Sequence, residues 1–200
     1  MSAATSEQGS RTRRVFVVSG PSGAGKGTLI RGVMKYFPSL DVAISATTRA
    51  PRPGEVNGRE YWFLSGEEFD RHLQQDDFLE HVDFAGNRYG TLLSEIDRLH
   101  ETGKHVILEL ELNGALAVEA GPMASTLIWI ESPDFEELER RLRSRASDTS
   151  EEIERRMAVA RDQVDAKQHF QYVVVNDDQT RAIAELQAII ERELASPLVG

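Results

Sequence analysis

A glycine-rich segment, Gly20-Pro21-Ser22-Gly23-Ala24-Gly25-Lys26, stands between a β-branched run, VFVVS (Val15 to Ser19), and a helix-like stretch from Lys26 to Phe37. Strand, glycine loop and helix in that order is the context a Walker A phosphate loop requires. Glycines let consecutive backbone N–H groups turn inward around phosphate oxygens, and the helix N-terminus adds positive potential. Lys26 is placed to reach the β- and γ-phosphates as a movable point charge. An ordinary glycine-rich turn is the plain alternative, and the coincidence of motif and context argues against it. One position departs from the motif. Gly27 stands where Ser or Thr normally offers a hydroxyl to Mg²⁺, and Thr28 follows about 100° further round the helix.

The rest of the chain alternates strands with helices, which argues a parallel α/β sheet. Asp41 to Ser45 suits another short strand, and the turn formers of residues 50–60 (APRPGEVNGRE) predict a loop. EYWFL then reads as a strand, and Ser65 with Glu68 as the capping box of a helix to about Gln75. FLEHVDF (Phe78 to Phe84) reads as a strand, AGNRYG as a turn, and Leu92 to Thr102 as a helix stopped by Gly103. HVILEL (His105 to Leu110), TLIWI (Thr126 to Ile130) and YVVVN (Tyr172 to Asn176) are further core strands. Ser132 with Pro133 starts an Arg/Glu-rich helix, Thr149 with Glu152 caps another, and an amphipathic helix closes the chain from about Thr180 to Leu194. The strand-rich stretch between about 41 and 90 breaks the rhythm and suggests an inserted sub-domain.

Composition narrows the function classes. Two hundred residues suit a single unit with a sub-domain grafted on. A net charge of −10 disfavours generic binding to nucleic acid or to anionic membranes. Without cysteine there is no disulfide, thiolate metal site or cysteine nucleophile. No apolar run approaches the ~20 residues of a membrane span, so the cytoplasm is the default compartment. Residues 1–13 are polar, lack the apolar stretch of a secretory signal and read as a disordered leader.

The acceptor side is more specific. Ser45-Ala-Thr-Thr-Arg49-Ala-Pro-Arg52-Pro-Gly-Glu55 carries two arginines three apart in a proline-rich loop, with Tyr61 close behind. Two guanidinium forks and a phenol make a site for a phosphate monoester. Glu80, Tyr89 and Thr91 supply a carboxylate, a phenol and a hydroxyl. Guanine presents N1–H and its N2 amine side by side, a donor pair one carboxylate can accept, while O6 needs a donor such as a hydroxyl.

From Arg14 to about Leu194 the chain resembles the guanylate kinases, which pass the terminal phosphate of ATP to GMP. The resemblance rests on the phosphate loop, on Ser45 to Tyr61 and on the loop around Tyr89. It implies a P-loop NTPase core with a parallel sheet flanked by helices (14–43, 93–133 and 167–195). A mixed α/β GMP-binding sub-domain at 44–92 and a helical lid at 134–166 are implied with it. Arg49, Arg52, Tyr61 and Tyr89 would hold the GMP phosphate, and Ser45, Glu80 and Thr91 would read the guanine. Glu55 joins that set, Asn176 would lie near the adenine, and Arg88 is given no role.

Glu109 and Glu111 close HVILELE, and strand alternation points them to one face. By resemblance Glu109 lies toward Mg²⁺, with Thr28 the other candidate, acting directly or through water, and Glu111 lies toward GMP. Residues 131–165 hold seven arginines against eleven acids, a balance of −4, so this is no nucleic-acid patch. Most of these charges are solvated i,i+4 pairs. The family pattern singles out Arg141, Arg145 and Arg156 as catalytic lid residues beside Lys26 and Arg49.

The expected activity is therefore a transferase of purine metabolism, phosphorylating GMP and dGMP with ATP and Mg²⁺. Two rivals stand beside it: a non-catalytic guanylate-kinase-like module binding phosphopeptides, and a nucleoside monophosphate kinase of another base preference. Monomer and homo-oligomer both stay open.

Overall fold

The computed structural model describes residues 13–84, 86–144 and 149–196. Nearly all of the expected leader, residues 1–12, lies outside them. In chain order the first half forms β1 (Val15–Ser19), α1 (Lys26–Val33), β2 (Leu40–Val42), β3 (Ala46–Thr47), β4 (Trp62–Phe63), α2 (Gly66–Gln74), β5 (Phe78–Phe84) and β6 (Asn87–Leu92). The second half forms α3 (Leu93–Glu101), β7 (His105–Glu109), α4 (Leu112–Ala120), β8 (Ser125–Glu131), α5 (Phe135–Arg143) and α6 (Ser150–Asp162). A 3₁₀ segment (Val164–His169), β9 (Tyr172–Val175) and α7 (Gln179–Ala195) complete it.

Five strands make a parallel sheet in the order β2-β7-β1-β8-β9. All five residues of β1 are buried, as a central strand covered on both faces demands. Its side chains alternate between two cores. Phe16 and Val18 face Leu29, Ile30 and Val33 of α1 and Leu186 and Ile190 of α7. Val15 and Val17 face Ile96 and Leu99 of α3, Ala115 and Val118 of α4, and Trp129. This is the α/β core with flanking helices that the alternation predicts.

The second sheet is mixed, in the order β4-β3-β6-β5. β5 and β6 form an antiparallel hairpin, β3 runs antiparallel to β6, and β4 lies parallel to β3. The segment expected as a turn, AGNRYG, is mostly strand. Among its described residues only Gly86, at φ 77°, takes the left-handed conformation, and Asn87 pairs opposite Phe84. A third cluster, Leu138, Leu142, Ile153, Met157 and Ala160, joins α5 to α6. Among the described residues no helix is long and apolar enough to cross a membrane.

Local signals fared unevenly. Both capping boxes form as read, at Ser65 with Glu68 and at Thr149 with Glu152. The first helix stops at Val33, short of Phe37. The arginine-rich helix is capped by Asp134, whose carboxylate accepts from Glu137 N–H at 2.7 Å, and not by Ser132. Helix α4 escapes a periodicity reading because LNGALAVEA is apolar nearly all round. The expected strand at 41–45 ends at Val42, where the chain crosses to the second sheet.

One backbone contact ties the glycine loop to the sheet. Gly20 has φ +143°, and a Cβ there would stand 2.0 Å from the carbonyl oxygen of Ile130 on β8. Gly20→Ala combines backbone strain with an overlap against main chain. It is expected to lower stability by about 3 kcal/mol in urea unfolding, and an unchanged midpoint would show that the loop can shift away.

Candidate active site

A cleft of about 540 Å³ opens between the carboxyl ends of the parallel strands and the second sheet. The phosphate loop forms one wall, and Ser45, Tyr61, Glu80 and Tyr89 line the other. Ligand clefts of open parallel sheets form at this end because the crossover loops converge there.

The loop is shaped by contacts its glycines alone permit. Gly25 caps α1 at φ 96°, and a side chain there would collide with the Asn176 amide. That amide donates to the Ala24 carbonyl at 2.7 Å, so β9 braces the loop from behind. A Cβ on Gly23 would stand 2.9 Å from the Leu142 side chain, which places α5 directly on the loop. Lys26 is buried at 8% exposure, and its ammonium donates to the carbonyls of Gly20 (2.6 Å) and Pro21 (3.3 Å). The positive charge is thus held at the mouth of a ring of backbone N–H groups.

On the opposite wall Glu80 is 5% exposed. Thr91 donates its hydroxyl to Glu80 Oε1 at 2.8 Å across the β5–β6 hairpin. A Cβ on Gly114, in the first turn of α4, would stand 2.8 Å from Glu80 Oε2. Burial pushes the Glu80 carboxyl above its ordinary range, and the Thr91 hydroxyl offsets only part of that. Tyr61 and Tyr89 meet edge to face at 6.0 Å, and burial raises the Tyr61 phenol.

The arginine loop is internally braced. Glu55 accepts both Arg49 prongs, at 3.0 and 2.9 Å, and the Arg52 backbone N–H at 2.7 Å. The Arg49 guanidinium also lies 5.3 Å from the Tyr61 ring centre. Arg49, Arg52, Glu55 and Thr91 do not themselves line the cavity. Glu55 fixes Arg49, Thr91 backs Glu80, and the Arg52 side chain is exposed.

Outside the cavity lining, Arg141 donates to Glu137 (2.7 Å), to the Asn176 carbonyl (2.8 Å) and to the Ala24 carbonyl (3.4 Å). Arg140 and Arg141 together hold the Glu137 carboxyl down to about 2. Arg156 donates to the Ser22 hydroxyl at 3.1 Å. Two of the three expected arginines therefore stand against the loop, and Arg145 lies outside the described residues.

Glu109 and Glu111 both line the cleft, though for a different reason from strand alternation. The strand ends at Glu109, and Glu111 is already the N-cap residue of α4. The space around Gly27 is tight but not closed. A Cβ there would stand 3.3 Å from Glu109 Oε2 and 3.2 Å from Arg31 Nη1. Glycine leaves room for both side chains, and Thr28 accepts from Arg31 at 3.4 Å. Arg31 and Glu60 line the cleft without having been singled out. Arg31 follows Gly27 by four residues, and that helical spacing was the available signal.

Comparison with known proteins agrees with this geometry. A family model described as guanylate kinase matches residues 12–193. A protein of Rubrobacter xylanophilus named guanylate kinase is 47% identical over 92% of this chain and 97% of its own length. Another of that name, from Trichormus variabilis, is 42% identical over 94% of each chain. The crystal structure of guanylate kinase from Anaplasma phagocytophilum superposes with a TM-score of 0.70 at 26% identity, covering 92% of this chain and 87% of the other. With nearly its whole length matched and the phosphate loop facing a buried glutamate across one cleft, the chain belongs to the guanylate kinase family.

Proposed function

We propose that this chain transfers the terminal phosphate of ATP to GMP, and also to dGMP, by direct in-line displacement. The observation that carries the reading is the buried Glu80 carboxylate, backed by Thr91 and facing the phosphate loop across the cleft. A carboxylate there accepts from guanine N1–H and N2, a donor pair adenine lacks. A wrong base would leave it buried and unpaired, which gives one acidic residue a large preference. The second sheet serves as the GMP-binding sub-domain (44–92), and α5 with α6 as the lid (134–166). No observation favours a phosphopeptide-binding module or another base.

The acceptor oxygen is already anionic, so the reaction needs no general base. The difficulty is bringing two polyanions into line, and catalysis is positioning with charge neutralisation. Lys26 and the loop N–H groups hold the donor phosphates, with Asn176 near the adenine. Arg49, Arg52, Tyr61 and Tyr89 hold the acceptor phosphate, Ser45 reads the guanine with Glu80 and Thr91, and Glu111 lies toward the bound GMP. Arg141, Arg145 and Arg156 complete the cage and exclude water from ATP.

The family implies Mg²⁺, which prefers hard oxygen ligands and keeps several waters beside substrate phosphates. The donors fit: the Glu109 carboxylate and the Thr28 hydroxyl both belong to residues that line the cleft beside the phosphate loop. These two residues would hold the ion, directly or through water, and it would neutralise phosphate charge. We place the reaction in purine nucleotide metabolism in the cytoplasm.

A coupled ADP-release assay offering GMP, dGMP, AMP, UMP and CMP separately tests the reading. Turnover is expected with GMP and dGMP alone. Turnover with another base would remove Glu80 from base reading, and none from folded protein would leave a binding module.

Glu80→Gln removes an acceptor that burial disfavours in its charged form. GMP kcat/KM is expected to fall by roughly 10- to 100-fold, the worth of one charge-assisted hydrogen bond, with KM for ATP and Tm retained. Because the folded pKa is raised, the acid holds its proton at a pH where a free carboxyl has lost it. Wild-type GMP kcat/KM should therefore fall on acidification through that raised value, and Glu80→Gln should flatten the profile. The stability contribution has the opposite sense, largest at low pH and lost as pH rises through the raised value. A wild-type profile identical in the variant would assign the titration elsewhere.

Gly114→Ala thrusts a methyl group against Glu80 Oε2. It should raise KM for GMP about tenfold and spare KM for ATP, since a small displacement of a positioning group is enough. Equal effects on both substrates would mean that α4 itself had moved.

A further inference from the structure

Away from the cleft, the described ion pairs are mostly exposed or half-buried. Many join residues three or four apart on one helix, such as Arg140 with Glu137 and Arg143 with Glu139. Glu95 is different. Its carboxylate, on the first turn of α3, is only 3% exposed as a residue, and it reaches 51 positions back along the chain. Oε1 accepts from the backbone N–H of Ile44 at 3.0 Å and from Arg98 Nη2 at 2.8 Å, while Oε2 accepts from Arg98 Nε at 2.8 Å. The Trp62 indole also donates toward it. Burial pushes this carboxyl up, but the Arg98 guanidinium, the Ile44 N–H and the Trp62 indole outweigh burial and hold it below the ordinary range.

The placement of those donors matters more than their number. Ile44 stands where the chain leaves β2 at Val42 and has not yet entered β3 at Ala46. Glu95 stands three residues after β6 ends at Leu92, where the chain returns to the core. One carboxylate therefore joins the outgoing and returning crossings between the two sheets. Ile44 and Trp62 each have a cleft residue beside them in the chain: Ser45 follows Ile44, and Tyr61 precedes Trp62. The two are themselves linked, since Trp62 N–H donates to the Ser45 carbonyl at 2.9 Å.

We propose that Glu95 is a positioning residue for the acceptor nucleotide, setting through Ile44 and Trp62 where Ser45 and Tyr61 stand relative to the phosphate loop. The proposal rests on the assignment of that wall to GMP. It distinguishes two donors that the sequence alone would merge. Arg98 is a surface partner, half exposed and replaceable by water, whereas the Ile44 N–H is a half-buried main-chain donor fixed at the crossing by its bond to the buried carboxylate.

The test compares Glu95→Ala, Glu95→Gln and Arg98→Ala with the wild type. KM is measured for GMP and for ATP separately, and the GMP dissociation constant by calorimetry without ATP. Glu95→Ala should weaken GMP in both measurements by roughly tenfold or more and leave KM for ATP within about twofold. Glu95→Gln keeps one acceptor for Ile44 and should give a smaller shift in the same direction. Arg98→Ala should leave both substrates near wild type. Glu95 variants with unchanged GMP affinity overturn the proposal, as does equal weakening of ATP and GMP. An Arg98→Ala effect as large as that of Glu95→Ala also overturns it, because the ion pair would then be the cause. If Glu95→Ala does not fold, Glu95→Gln decides on the same two constants. Absence of GMP turnover in the wild type would instead refute the assignment of the wall, and so is read separately.

Discussion

Gly20 lies against the Ile130 carbonyl with no room for a single carbon between them, and the whole site is arranged from that contact. It brings the loop down onto the sheet at the point where β1 ends and α1 begins. Asn176 from β9 and Leu142 from α5 then occupy the spaces beside Gly25 and Gly23. Three separate parts of the chain thus define the loop, and each depends on a missing side chain. The contact at Gly20 is the stiffest of the three, because its neighbour is main chain and cannot move aside as the side chains of Asn176 and Leu142 can. Donor phosphates then meet N–H groups that are already oriented, and little reorganisation is left for the reaction.

Two buried glutamates show how surroundings divide one residue type into two tasks. Glu80 and Glu95 are both under one-tenth exposed, and both stand near the junction of the sheets. Glu80 has only uncharged donors, the hydroxyl and backbone N–H of Thr91, so burial wins and its carboxyl is pushed up. Glu95 has a guanidinium, a backbone N–H and an indole, so its donors win and its carboxyl is held down. A carboxylate already satisfied is suited to holding a backbone in place. One left short of donors is suited to receiving them from a ligand, and the base chemistry assigned to Glu80 uses that shortage.

Much of this was legible in residues close together along the chain. The phosphate loop needs only a strand before it and a helix after it, and both stand where the apolar pattern puts them. The capping boxes at Ser65 and Thr149 are contacts between residues three apart, so four letters suffice to read them. Helix α4 was not legible, because alanines stand on its exposed side (Ala117, Ala120) as well as its buried one (Ala115) and so mark no period. Strand β6 was obscured by turn-forming letters, since Asn87 and Gly90 are tolerated in a hairpin once the partner strand supplies the hydrogen bonds.

The sequence by itself determined the chemistry available: a glycine loop with its lysine, paired arginines behind prolines, and a carboxylate, phenols and hydroxyl suited to a guanine nucleotide. Those are properties of residue type and short spacing. Only the tertiary structure decided which groups face the cleft and which hold others in place. Glu55 grips Arg49, Thr91 backs Glu80, Arg31 and Glu109 fill the room left by Gly27, and Glu95 ties Ile44 from 51 residues away. Such partners are chosen by the crossing of chain segments, and a buried polar group must take whichever donor the fold brings within reach.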